Sequence, residues 1–322
     1  MNTFKLKRPL YLYQYEALLR RLPQRHAQYN AIKKDYHKYL AGFQGEESLD
    51  YILSIVNLHK EAFICRGLRL KNKANDYFFQ IDLLVVTPYF IYIGEVKNHT
   101  GKLVFEPDYG QMTQLKGEAA NTYPCPLQQS KRQARQLQVW LSDHSLQETP
   151  VYAHAMISNP HSQISSNTPI PELYHADLLP EMLDSLNLTN SKRIYTRAHL
   201  QKLEKLLKKE NEEANHFLIE KYNLHSHEVI QTICCRFCSS RRLRRFRQKW
   251  YCTSCREKDE QTHMEGLQDL ALLNVGFQSL STYRIFLAHI SAATAKGLIS
   301  PYVIANEYKC KGRKYKLDIN KF

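Results

Sequence analysis

Residues 80–97, QIDLLVVTPYFIYIGEVK, hold three charged side chains in a run that is otherwise built to be buried. The segments 78–86 and 89–96 are rich in Val, Ile, Leu, Phe and Tyr, and Thr87-Pro88 between them is turn chemistry, so the stretch is predicted to form two antiparallel strands. Asp82 stands in the first strand, and Glu95 and Lys97 in the second. Burying a charge is costly unless something pairs with it. If the hairpin turns on Pro88-Tyr89, Thr87 faces Phe90, and counting outward sets Asp82 opposite Glu95 and Gln80 opposite Lys97. Because side chains alternate with period two, Asp82, Glu95 and Lys97 are predicted to project from one face.

Two carboxylates about 4 Å apart repel by about 4 kcal/mol at an effective dielectric near 20, which favours a bound cation or a protonated acid. Oxygen ligands suit a hard divalent metal, Mg2+ or Mn2+, with Asp82 and Glu95 as its ligands. Such an ion supports phosphodiester hydrolysis, and Lys97 would orient the water or neutralise developing charge. Glu46, in Gly42-Phe43-Gln44-Gly45-Glu46, precedes a helical stretch with Leu49, Ile52, Leu53 and Val56 on one face. Placed at the start of that helix, it would be kept ionised by the dipole. The competing reading is a salt bridge at a strand edge, since Glu307-Tyr308-Lys309 repeats the Glu-x-Lys triplet.

Outward from this core, residues 62–70 form a third strand of an antiparallel meander. After a Gly-containing polar loop, Pro126 opens a helix that continues through Leu127, Ala134, Leu137 and Trp140 to about Ser142. A strand over 151–157 completes a mixed α/β sheet flanked by helices. Residues 160–175 read as surface loop. Thr196 caps a helix whose Leu200, Leu203 and Leu207 form one apolar seam, a candidate spacer. Upstream, residues 11–40 read as two short basic helices broken at Pro23.

The order and spacing of Gly42-Phe43-Gln44-Gly45-Glu46, of Gln80-Ile81-Asp82-Leu83-Leu84-Val85-Val86, and of Gly94-Glu95-Val96-Lys97-Asn98 with Gly101 resemble the NERD (nuclease-related domain) family. The resemblance covers roughly residues 30 to 185. It implies a restriction-endonuclease-like fold of the PD-(D/E)xK nucleases, with Glu46, Asp82, Glu95 and Lys97 at the presumed catalytic positions. The family's Asn-Pro-hydrophobic-x-Gln signature is matched by Cys125-Pro126-Leu127-Gln128-Gln129, with Cys125 in place of Asn. Gln129 is then a candidate for orienting substrate or water, beside the plain reading of an exposed helix amide.

Near residue 233 the composition changes. Cys235-Arg236-Phe237-Cys238 and Cys252-Thr253-Ser254-Cys255 are two knuckles whose four thiolates suit structural Zn2+, with Cys234 as a less regular substitute for Cys235. Cys65, Cys125 and Cys310 are scattered, so metal binding explains the pattern better than disulfides. Between the knuckles, Arg241, Arg242, Arg244, Arg245 and Arg247 alternate with Leu243 and Phe246, suited to phosphate contacts with stacking, or simply to a solvated hairpin. Further on, helices over 281–288 and 292–299 and a basic run over 309–316 resemble a helix-turn-helix with a wing, or an inert packing module. Lys296, Lys311, Arg313 and Lys314 would be its phosphate contacts.

The formal net charge of +14 points to a polyanionic partner. Nucleic acid, DNA first, is favoured over a membrane because the cations are spread over several segments and not gathered on one amphipathic helix. No segment reads as a signal peptide or a membrane span, which leads to a cytoplasmic expectation. The expected division is 1–40 basic helices, 41–190 nuclease-like domain, 191–230 helical linker, 231–260 zinc ribbon and 261–322 helix-turn-helix-like module. The function expected is a metal-dependent nuclease; the alternative is a non-catalytic nucleic-acid-binding protein on a nuclease-like scaffold.

Overall fold

Alternation of apolar side chains drives the central element, a six-stranded mixed sheet seen in a computed structural model that describes residues 2–4, 6–72, 76–146, 148–229, 231–273, 275–309 and 312–322. The chain enters through β1 (Asn2–Phe4), α1 (Leu10–Arg21), α2 (Tyr29–Glu47) and α3 (Leu49–Ile55). The meander follows as β2 (Phe63–Asn72), β3 (Tyr77–Val86) and β4 (Ile91–Lys97), each pair antiparallel as its sequence predicts. Val86 faces Ile91 and Leu83 faces Gly94, the register counted from the Pro88-Tyr89 turn. Thr87 closes that turn by accepting the Tyr89 and Phe90 amides on its hydroxyl.

Beyond β4 come β5 (Lys102–Glu106), β6 (Gln111–Lys116), β7 (Ala119–Pro124), α4 (Pro126–Asp143), β8 (Val151–Ile157), β9 (Gln163–Ser166) and β10 (Leu173–His175). The main sheet has the order β1-β2-β3-β4-β8-β10, and β8 runs parallel to both β4 and β10. Two sequence expectations are corrected here. The polar loop after Lys97 is a small sheet, β7-β6-β5-β9, and residues 160–175 contribute strands to both sheets. Short polar strands such as β7 (AANTYP) carry no alternation signal, because their pairing is supplied by neighbours and not by burial. Gly101 makes the turn into β5 at φ +84°, where a Cβ would meet the Leu115 carbonyl oxygen at 2.4 Å.

Odd and even positions of the meander face two cores. Leu84, Val86, Ile91 and Ile93 pack with Ala134, Leu137 and Trp140 of α4 and with Leu200, Leu203 and Leu207 of α6 (Arg197–Glu210). Leu83, Val85 and Tyr92 pack with α3 and with Leu179 and Leu183 of α5 (Leu179–Thr189). The helix read as a spacer is therefore core: Thr196 caps it as expected, and Glu210 at its end accepts from Trp140 Nε1 at 2.9 Å. A seam of three leucines seals a sheet face as readily as it would face solvent across a linker.

Contacts divide the chain into two compact units, residues 1–8 with 38–213 and residues 9–37 with 214–322. In the second unit α1 packs with α9 (Thr262–Leu272), after the short helices α7 (Leu218–Lys221) and α8 (Ser226–Val229) and the strands β11 (Leu243–Phe246), β12 (Lys249–Cys252) and β13 (Lys258–Asp259). Fully buried Asp269 on α9 holds Arg21 Nε at 2.7 Å and Arg20 Nη2 at 2.6 Å, which fixes α1 in this unit. Then come β14 (Gln278–Ser279), α10 (Leu280–Phe286), α11 (Ala292–Ile299), β15 (Val303–Lys309) and β16 (Gly312–Leu317), the strands ordered β14-β16-β15. Ser279 and Ser291 cap α10 and α11 by accepting the Thr282 and Thr294 amides. Cys310 and Lys311 lie outside the described residues. Among the described residues no helix is long and apolar enough to cross a membrane.

Candidate active site and zinc centre

The β3–β4 ladder ends at Leu83 and Gly94. One step further the strands part, and Asp82 Oδ2 takes the Val96 amide at 3.0 Å with its side chain in place of a backbone partner. Glu95, 1% exposed, sends its carboxylate toward α4, where Oε2 accepts from Gln133 Nε2 at 2.6 Å and Oε1 accepts from Lys97 Nζ at 2.5 Å. Lys97 Nζ also donates to Gln129 Oε1 at 3.2 Å. Glu95 and Lys97 thus lie on the α4 face, the face that Asp82 shares by strand parity with Leu84 and Val86.

Glu46 completes the group from a different place than its sequence suggests. It is the penultimate residue of α2, not the opening of a helix, so the carbonyl end of the dipole disfavours its charge. Burial raises the Glu46 carboxyl to about 7, with Glu95 adding to the rise and Arg66 and Lys97 opposing it. Asp82 is held well above the usual carboxylate range by burial, then by Glu95 and Glu46, against Lys97 and the Val96 amide. Burial pulls the Lys97 ammonium down, but Glu95, Asp82 and Glu46 outweigh it and keep it above the ordinary lysine value. Three carboxyl groups therefore crowd about the Lys97 ammonium, with the Arg66 guanidinium acting on Glu46.

The helix end is placed by Asn98, part of the Gly94–Asn98 motif, and by Arg66, which the sequence did not single out. Asn98 Nδ2 donates to the Ala41 carbonyl at 2.8 Å, and buried Arg66 on β2 donates to the Glu46 carbonyl and to Asp50 Oδ1. Gly45 permits this approach: a Cβ there would lie 2.4 Å from Asn98 Cβ and 2.9 Å from Ser158 Oγ, whereas Gly42 has open space. Gly45→Ala is expected to cost about 1–3 kcal/mol and to lower Tm by several degrees. A melt within about one degree of wild type would remove this account of the glycine. Gln133 follows Gln129 by four residues, the spacing of one helical face, and a buried arginine in strand 62–70 breaks an apolar run as Asp82 does; both signals were present in the sequence.

Proton linkage supplies a second expectation. In the native metal-free protein Glu46 keeps its proton to about 7, while in the unfolded chain it is lost near 4.5. The native state binds more protons across that window, so its stability falls as pH rises through it. Tm of metal-free protein should decline between about pH 5 and about pH 8, Mn2+ should restore it at the upper end, and Glu46→Gln should flatten the decline. Thermal melts that ignore Mn2+ at about pH 8 would remove the acid cluster as a cation site.

At α4, Cys125 takes the N-cap position without a side-chain cap and buries its thiol against Leu103, Phe105 and Met112. Its carbonyl receives the Gln128 and Gln129 amides, so the helix start is set by Pro126 and the backbone and not by the residue 125 side chain. At the rim, His99 packs on Tyr123 at 4.7 Å, with its imidazole pushed down by burial and by Lys97 and Lys38.

In the second unit the sulphurs of Cys235, Cys238, Cys252 and Cys255 all lie within 4.8 Å of one another, with Cys235 3.6 Å from Cys255 and Cys238 3.6 Å from Cys252. Tetrahedral zinc with bonds of about 2.3 Å requires sulphurs somewhat under 4 Å apart, so the donor set fits. Backbone amides of Cys255 and Ser254 draw the Cys252 thiol down to about 6, while the crowding of the sulphurs holds Cys238 and Cys255 above the ordinary thiol value. Cys235, not Cys234, belongs to the four-sulphur group; the Cys234 sulphur turns to the Thr232 carbonyl. Among the described residues these cysteines are the sole group of three or more metal-ligating side chains gathered so closely. Glu46, Asp82 and Glu95 do not form such a group.

Arg241, Arg242, Arg244 and Arg247 are exposed, as are Lys296 on α11 and Arg313 on β16; Lys314 is half-buried. Arg245 differs, lying over the buried Trp250 ring at 4.9 Å.

The fold and its sites define a mixed α/β protein with a buried acid–lysine cluster and a separate four-cysteine centre. Residues 41–158 match the family model of NERD, the nuclease-related domain. The matched segment runs from the last turns of α2 through β8 and contains Glu46, Asp82, Glu95, Lys97 and Gln129. No curated protein and no solved structure matches the chain significantly.

Proposed function

We propose that this protein is a nuclease that hydrolyses the phosphodiester backbone of nucleic acid with Mg2+ or Mn2+ held by Asp82 and Glu95 and assisted by Glu46. The observation that carries this is the crowding of three carboxyl groups where the β3–β4 ladder ends: Glu95 and Glu46 raise Asp82, Glu95 raises Glu46, and Lys97 is bonded to Glu95. When bound, a hard divalent ion supplies charge for a phosphate oxygen and lowers the pKa of water. Gln133 and Lys97 hold the Glu95 carboxylate in one orientation, and Lys97, itself steadied by Gln129, keeps a proton and a positive charge at the point where the water approaches. Hydrolysis forms a water-oxygen-to-phosphorus bond and breaks one phosphorus–oxygen ester bond, which leaves a phosphate on one product and a hydroxyl on the other. The likeness to PD-(D/E)xK nucleases belongs to this reading, as do phosphate contacts from Arg241, Arg242, Arg244, Arg247, Lys296, Arg313 and Lys314.

Cleavage of labelled DNA and RNA with Mg2+ or Mn2+ tests it, beside Asp82→Asn and Lys97→Met. Turnover unchanged in both variants overturns the site. Binding that persists in both, with no turnover by wild type under either metal, establishes instead the nucleic-acid-binding scaffold that the exposed arginines favour.

A further inference from the structure

The β11–β12 hairpin has two unlike faces. Its register pairs Leu243 with Cys252, Arg244 with Tyr251, Arg245 with Trp250 and Phe246 with Lys249. Leu243, Trp250 and Cys252 turn inward, and Arg245 covers the Trp250 ring. Alternation therefore puts Arg244, Phe246, Lys249 and Tyr251 on the opposite face, which Lys258 of β13 extends, since it pairs with Tyr251. Phe246 is 69% exposed, and the Arg247 guanidinium lies 5.5 Å from its ring centre. No residue of the hydrophobic core around the knuckles uses this ring.

We propose that this outer face is a stacking platform for unpaired nucleotides, so that the protein engages single-stranded nucleic acid or single-stranded segments of a duplex. The proposal rests on the nucleic-acid reading above and narrows its substrate class. Phe246 and Tyr251 are diagonal neighbours on paired strands, a spacing of about 7–8 Å in a regular ladder, so each ring can take the face of a separate base. The cations between and beside them meet the backbone phosphates; Lys249 shares its charge with Glu260 at 3.2 Å, so Arg244, Arg247 and Lys258 carry most of this contact. A duplex hides its base faces and could use only the cations. Two aromatic rings on a cationic outer surface are therefore a signature for unpaired bases and not for paired ones.

The test uses the full zinc-loaded chain and fluorescence anisotropy with a labelled single strand of about 15 nucleotides and with its duplex. Phe246→Ala should weaken single-strand binding about tenfold and duplex binding less than about twofold. Phe246→Trp should restore the affinity and report the strand by quenching of the new tryptophan. Equal losses on both probes, or an unchanged single-strand affinity, overturn the platform. Cleavage by wild type separates the two readings. If wild type binds the strand with this Phe246 dependence yet never cleaves it, the platform stands and the hydrolase reading fails. If wild type binds neither probe, both fail.

Discussion

Glu95→Gln should lower metal-dependent cleavage by on the order of a thousandfold while leaving nucleic-acid binding close to wild type. The substitution keeps volume and removes only the charge at a side chain that is 1% exposed and bonded to both Gln133 and Lys97. Removing it loosens three things together: the attraction for a divalent ion, the seat of the Lys97 ammonium and the field that raises Asp82 and Glu46. In the metal-free protein the loss of one like charge should relax those two acids, so the pH-dependent decline of Tm weakens as activity disappears. Steady-state cleavage and melts in one pH series measure both, and full turnover in Glu95→Gln would end the case for this cluster as a catalytic site.

Chelation of zinc, or Cys252→Ser, should unfold the region around residues 235–259 without melting the unit that contains residues 38–213. Structural zinc contributes on the order of 10 kcal/mol of apparent binding free energy, far more than three short strands can replace from their own apolar burial. Those strands have four, four and two residues, and Trp250 and Leu243 share their core with Leu267 and Leu270 of α9 and Tyr283 and Phe286 of α10. The chain has two tryptophans, Trp140 in the first unit and Trp250 beside the cysteines. A Trp140→Phe variant makes the emission report Trp250 alone; chelator should shift it to the red and added Zn2+ should reverse the shift. An emission that ignores the chelator would show that the cysteine cluster holds no structural metal.

The strands of the meander, the turn at Thr87-Pro88, the run of α4 from Pro126 and the cap at Thr196 were all legible in sequence, because each is specified by local chemistry: alternation, turn residues and capping groups. The same holds for the register from Val86 with Ile91 to Leu83 with Gly94, which counting from the turn sets; the ladder stops one step short of Asp82 and Glu95, and Asp82 takes the Val96 amide instead. Glu46 shows where that logic stops. Gly42 and Gly45 read as a boundary, yet α2 passes through both, and the reason for Gly45 is the Asn98 side chain that approaches from the end of β4. The second sheet and β10 escaped for a related reason, as their strands are short and gain stability from partners remote in sequence.

By itself the sequence determined the hairpin, its register, the parity of the acids and lysine on it, and the two cysteine knuckles, because these depend on period-two geometry and on ligand spacing within a few residues. Only the tertiary structure decided that Glu46 arrives on a helix C-terminus, that Gln133 and Arg66 secure the site, that the Leu200–Leu207 seam is core, and that the arginine hairpin has one face turned to Trp250 and another to solvent. Those outcomes follow from which surfaces meet across long stretches of chain, where burial and excluded volume outweigh any local preference.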